Sequence, residues 1–253
     1  MAFPADDVLA RDLARLAGER LLTIRASGIP GSADGVRRAG DLGSQAFLAA
    51  ELARQRPGDA ILSEEAADDP ARLSADRVWI IDPLDGTREF GEPGRTDWAV
   101  HVALWERGDL TAGAVALPAQ SVVLSTAEPP KAPVPPAPQD GPLRLVVSRT
   151  RPPEFVTTLA GELGADVIPL GSAGAKAAAV IVGDADAYVH SGGQYEWDSA
   201  APVAVARAAG LHTSRIDGSE LAYNSEHPSV PDILICPVRL ADELLHAIRS
   251  SAR

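Results

Sequence analysis

The chain has 253 residues, 45% of them hydrophobic, with 23 basic against 35 acidic side chains and a formal net charge of −12. That length can bury a sizeable core in one large domain or two closely joined ones, and the composition is globular, which excludes a disordered chain. With no lysine- or arginine-rich block, the acidic balance disfavours docking along a nucleic-acid backbone, whereas a small anionic substrate needs only a local positive charge of the kind a bound metal supplies. The one cysteine, Cys236 in the apolar run DILICP, allows no intrachain disulfide and favours a reducing compartment. The opening stretch MAFPADDVLARDLARLAGE is charged and periodic, without an apolar signal region, and no run reaches the length of a membrane span. A soluble, cytoplasmic protein is the expectation.

Val8, Leu9, Leu13, Leu16, Leu21 and Ile24 recur at helical spacing and predict a helix over 5–26; Leu42, Phe47, Leu48 and Leu52 predict a second over 38–56. SGIPGSADG between them reads as a loop, and RPGD stops the second helix before AILSEE. That run and RVWIID read as strands. From Trp98 to Thr126, apolar segments broken by RGD and LPAQ suggest an antiparallel meander. The stretch AEPPKAPVPPAPQDGP, 127–142, holds seven of the 21 prolines and reads as a linker or exposed loop rather than a partner motif. Beyond it LRLVVS, DVIPLG, ADAYVH and DILICP read as strands, alternating with helices over 152–163, 173–183, 199–209 and 239–251. The expected organisation is an α+β half over 1–128 carrying most of a metal site, a proline-rich segment over 129–142, and an α/β half over 143–253. There is no internal repeat.

Chemistry concentrates in WIIDPLDGTREF, 79–90. Asp82 closes a strand, Pro83 forbids its continuation and Gly86 permits a tight turn, so Asp82, Asp85 and the Leu84 carbonyl between them can face one point. A lone DxxD merely caps a turn. Here ILSEE adds Glu64 and Glu65 at another strand end, and YEWDSAAPVAVARAAG puts Asp198 at the start of a helix, where Pro202 falls among free first-turn donors. Oxygen-only ligands of this kind suit magnesium, and the five histidines are scattered without zinc spacing. Three acidic sites at element ends can cage two cations about 3.5 to 4 Å apart, a device of phosphoryl transfer.

Taken together, SEE at 63–65, DPLDGT at 82–87 and WDSAA at 197–201 resemble the three signatures of the inositol monophosphatase superfamily, over nearly the whole chain from Asp41 to the C-terminal helix. The resemblance implies that family's layered αβαβα sandwich and two or three magnesium ions, with lithium inhibitory. It implies roles as well: Glu64, Asp82 and the Leu84 carbonyl on the first magnesium; Asp82, Asp85 and Asp198 on the second; Glu64 and Thr87 orienting a nucleophilic water, with Asp41 as the acidic partner of Thr87. Gly86 and Thr87 would offer backbone N–H groups to the transferred phosphate.

Within the superfamily, DGTREF and VVSRT resemble the CysQ-type 3'(2'),5'-bisphosphate nucleotidases, as does Lys176 after the turn GSAGAK. The substrate contacts so implied are Asp85, Gly86, Thr87, Arg88, Ser148, Arg149, Ser172, Lys176 and Asp198. The chain departs from that pattern at Arg151, where those enzymes tend to carry histidine, and at His190, where they tend to carry arginine. The expected activity is hydrolysis of 3'-phosphoadenosine 5'-phosphate to AMP, in sulfate assimilation. Looser selectivity would make the chain an inositol monophosphatase or fructose-1,6-bisphosphatase of broad specificity. The partner is a small phosphorylated metabolite. A homodimer is compatible with the family, but no periodic stripe in the sequence marks its face. Tyr195 and Trp197 read as packing around the cage rather than as an adenine platform.

Overall fold

The computed structural model describes residues 4–27, 32–131 and 141–251. Helix α1 (Asp6–Ala26) lies where its leucines predict, with Leu9, Leu13 and Leu21 buried on one face. Helix α2 (Ala33–Gln55) begins earlier than its apolar spacing indicates, because Ser32 is an N-cap whose side chain accepts from the Gly35 amide at 3.1 Å. A serine cap outweighs the glycine that read as a loop residue. The loop reading therefore fails for 33–35, while 28–31 lie outside the described residues.

Strands β1 (Ala60–Ser63), β2 (Arg77–Asp85), β3 (Ala99–Glu106), β4 (Asp109–Leu117) and β5 (Val122–Ser125) form one sheet in that order. β1 and β2 are parallel, and the remainder is antiparallel and includes the expected meander. β2 does not stop at Asp82. It runs on through Pro83 to Asp85, because the register against β3 slips between Asp82 and Asp85 and puts the proline in a bulge.

The second sheet takes β6 (Arg144–Ser148), β7 (Asp166–Leu170), β8 (Ala187–Tyr195), β9 (His212–Ser214) and β10 (Ser229–Cys236) in the order β7-β6-β8-β10-β9. Five helices complete the described fold: α3 (Thr87–Gly91), α4 (Glu154–Leu163), α5 (Ala173–Val182), α6 (Glu196–Ala208) and α7 (Val238–Ser251). Strand periodicity explains the layers. In β2, Val78 and Ile80 face a core shared with α5, α6 and the second sheet, while Trp79 and Ile81 face α1 and α2. α4 and α7 cover the far side of the second sheet through Val156, Leu159, Leu240 and Leu244. The result is the layered αβαβα sandwich.

α6 starts earlier than expected, at Glu196, so Pro202 lies in its second turn, not its first. The absent proline N–H leaves the Asp198 carbonyl without its usual helical donor. Residues 132–140 of the proline-rich stretch lie outside the described residues. Among the described residues no helix is long and apolar enough to cross a membrane.

Candidate active site

Four elements converge on one point. The end of β2 brings Asp82, Leu84 and Asp85; the residue after β1 is Glu64; the third residue of α6 is Asp198; and the start of α5 closes from beside them. Gly86 turns the chain from β2 into α3 at φ 82°, where a side chain would press within 3.0 Å of Ser172 Cβ and 3.3 Å of the Asp97 carbonyl. The short helix α3 then presents Thr87 and Arg88.

These residues line a cleft of about 240 Å³ that contains Glu64, Asp82, Leu84, Asp85, Gly86, Thr87, Arg88, Ser148, Lys176 and Asp198. Thr87 Oγ1 donates to the Leu84 carbonyl at 3.0 Å and lies 3.4 Å from Asp41 Oδ1. Asp41 stands behind the cleft wall, and burial followed by the nearby Glu65 raises its carboxyl to about 6. Two expected substrate contacts are engaged elsewhere. Ser172 is 1% exposed and caps α5 by accepting from the Ala175 amide at 2.8 Å, so its hydroxyl does not reach the cleft. Arg149 lies outside the lining and pairs with Glu89 at 2.7 Å and Glu92 at 2.9 Å.

Lys176 is buried, and its Nζ donates to the Gly171 and Ser172 carbonyls, each at 2.8 Å, which leaves one N–H for the cleft. Burial lowers its proton affinity. Arg151 and His190 also line the cleft. His190 Nε2 lies 2.8 Å from the Gly192 carbonyl and must donate to it, and burial makes the ring harder to protonate, so it does not replace an arginine's charge. Among the described residues, neither Arg88 nor Arg151 has a carboxylate partner.

The electrostatics of the acidic group are those of a cation site. Burial, then repulsion from Glu64, Asp85 and Asp198, holds Asp82 well above the usual carboxylate range. Desolvation and the charges of Asp198 and Asp85 lift Glu64 to about 7, although its outer side is exposed; burial and Asp85 lift Asp198 to about 6. Asp85 is the exception: burial would raise it, but His101, Lys176 and the Gly174 amide pull it below its ordinary value. The Leu84 amide holds Asp82 Oδ1 at 3.0 Å, while Oδ2 is buried and, among the described residues, has no N–H or hydroxyl donor, only the carboxyl of Glu64 beside the Asp82 side chain. A bare, buried carboxylate oxygen among like charges is costly, and a hard divalent cation with oxygen ligands resolves it.

Sequence reasoning missed His101. It is fully buried on β3 opposite Asp82, with Nε2 3.2 Å from Asp85 Oδ2 and outside hydrogen-bond geometry. One ligand atom each from Asp82, Asp85 and His101 lies within 4.8 Å of the others. The signal was a lone histidine in the otherwise apolar strand AVHVALW, readable once β2 and β3 are paired. Gln194, also in the cleft wall, carried no such signal.

Comparison with known proteins agrees with this geometry. The sequence profile of the inositol monophosphatase family matches residues 7–253, and the chain belongs to that family. It is 51% identical over 242 residues to a 3'-phosphoadenosine 5'-phosphate phosphatase of Mycobacterium bovis, covering 94% of this chain and 91% of that protein. The protein of the same description from Mycobacterium leprae is 49% identical over 253 residues, at 96% and 93% coverage. Among solved structures, CysQ from Bacteroides thetaiotaomicron, a bacterial member of the inositol monophosphatase family, superposes with a TM-score of 0.77 at 27% identity, covering 92% of this chain and 97% of that one.

Proposed function

We propose that the protein is a magnesium-dependent phosphatase that hydrolyses the 3'-phosphate of 3'-phosphoadenosine 5'-phosphate, giving AMP and phosphate. The relatives at about half identity carry that description. The observation that carries the reading is the polarity of the cleft: a carboxylate cage at one place in the wall and, in the same wall, the guanidinium groups of Arg88 and Arg151, which have no carboxylate partner among the described residues, in a protein of net charge −12. Free guanidinium groups in an acidic protein suit a second phosphate.

Glu64, Asp82 and the Leu84 carbonyl would hold one magnesium, and Asp82, Asp85 and Asp198 the other. When bound, the ions lower the pKa of water and neutralise charge on the transferring phosphoryl group and leaving oxygen. Glu64 and Thr87 orient the attacking water, and Asp41, raised to about 6, would take a proton through the Thr87 hydroxyl once that hydroxyl turns its one hydrogen from the Leu84 carbonyl to Asp41. The Gly86 and Thr87 amides, at the cleft wall, would donate to the phosphate. Attack is direct, without a phosphoenzyme. Such an enzyme would clear a by-product of sulfate assimilation and be inhibited by lithium.

A broad-specificity inositol or fructose phosphatase is the rival, favoured by the neutral His190 and the internally paired Arg149. Phosphate release from 3'-phosphoadenosine 5'-phosphate, inositol 1-phosphate and fructose 1,6-bisphosphate, with magnesium and then with lithium, separates the two. A kcat/KM for the adenosine bisphosphate well above the others supports the proposal; equal rates on all three reject it.

A further inference from the structure

A cleft that takes the phosphates of a nucleotide leaves the base to be placed. Of the side chains lining the cleft only those of Leu84 and Ala173 are apolar; the rest are charged or polar, and the remaining residues are glycines. Its volume of about 240 Å³ is below the roughly 300 Å³ of the smallest pockets that bury most of a drug-sized ligand. A planar base therefore finds no matching surface inside and lies over the rim.

Tyr195 stands at that rim. It directly follows Gln194 and comes three residues before Asp198, both in the cleft wall. At 47% exposure it is the one exposed Phe, Tyr or Trp among the described residues. Its ring lies on that of Trp197, with centroids 4.7 Å apart and planes 11° from parallel, and Trp197 packs in turn against the core between the two sheets. The pair thus divides: Trp197 packs, as expected of both, whereas Tyr195 turns its outer face to solvent. The Tyr195 amide donates to Asp198 Oδ2 at 2.7 Å and fixes the backbone under the ring. Gly193, also in the cleft wall, has φ 69°, and a Cβ built there meets nothing within 4 Å, so the wall is open two residues before the ring.

We propose that Tyr195, backed by Trp197, is the platform on which the adenine of the nucleotide stacks while its phosphates occupy the cleft. Every base has a π face to lay on such a ring, and a ring already held by its neighbour loses little freedom on binding. The platform would supply a preference for nucleotides over inositol and fructose phosphates that the neutral His190 and the internally paired Arg149 do not. The inference rests on the reading that the substrate is 3'-phosphoadenosine 5'-phosphate.

The test is steady-state kinetics of the full chain with magnesium on 3'-phosphoadenosine 5'-phosphate and on its base-free counterpart, methyl ribofuranoside 3,5-bisphosphate. The wild type should favour the nucleotide by about 10-fold in kcat/KM, within the range that base–aromatic stacking reaches by alanine substitution. Tyr195→Ala and Tyr195→Leu should abolish that preference by raising KM for the nucleotide alone, and Tyr195→Phe should keep it to within about twofold. Disturbed packing would not give this split, since a shift of Asp198 would harm both esters alike. Should Tyr195→Ala fail to fold, the Leu and Phe pair carries the same comparison. A wild-type preference that survives in a folded Tyr195→Ala or Tyr195→Leu overturns the platform and leaves the nucleotide reading intact, and so does an equal loss on both esters. Failure of the wild type to hydrolyse the adenosine bisphosphate overturns both.

Discussion

The Leu84 amide grips Asp82 Oδ1 at 3.0 Å and leaves Oδ2 bare in the protein interior. Asp82→Asn should therefore have two opposite effects. Turnover should fall by at least about 100-fold, because a ligand shared by both proposed ions is lost. The metal-free protein should melt higher than the metal-free wild type, because a buried carboxyl that can ionise only at a cost, among like charges, is replaced by a neutral amide. Melting with and without chelator, alongside steady-state kinetics, checks both; near-normal turnover would reject the two-ion assignment.

Stability of the metal-free protein should fall as pH rises from about 5.5 to 8. In the folded chain Glu64 is raised to about 7 and Asp198 to about 6, and Asp82 is raised further. The unfolded chain has released these protons by about pH 5, so between there and the folded values the native state binds more protons and is favoured; that advantage disappears as pH passes about 6 to 7. Cation affinity should move the other way, increasing with pH as the carboxylates ionise. A metal-free melting temperature that climbs from pH 5.5 to 8 would contradict the assignment.

Thr87→Ala should lower kcat by about 100-fold or more while leaving KM within a few-fold, since its hydroxyl serves the attack step. Asp41→Asn should do much the same. The double variant should be little worse than either single one, because the two act as a unit 3.4 Å apart. Additive losses would separate them.

Arg151→Ala and Arg88→Ala should each raise KM for the adenosine bisphosphate by about 10-fold while leaving that for 3'-AMP nearly unchanged. Arg149→Ala should not alter this preference, because its guanidinium is already held by Glu89 and Glu92. The ratio of kcat/KM on the two nucleotides is the readout, and an unchanged ratio in both cleft variants would dismiss them as determinants of specificity.

The cage ligands were legible because each stands at the end of an element that local pattern identifies: Glu64 after β1, Asp82 and Asp85 around a proline, Asp198 before an alanine-rich run. The layered fold came from the motifs that carried the family resemblance and not from periodicity. Contacts that depend on which side chain finds which partner were not legible. VVSRT gives no sign that Arg149 will turn to Glu89, 60 residues away, and GSAGAK gives none that Ser172 will be spent on its own helix. His101 illustrates the same limit from the other side, since nothing within its strand reveals that Asp85 lies behind it.

The convergence of β1, β2 and α6 also bears on how the chain acquires its activity. Gly174 and Asp85 meet across 89 residues of sequence, and Glu64 waits on a helix from the far half of the chain. The N-terminal half holds only part of the cage and Asp198 comes from α6, so the cation would favour the native ensemble and add to its stability in proportion to the logarithm of its free concentration. Chelation of a cell extract would then shorten the protein's lifetime as well as silence it.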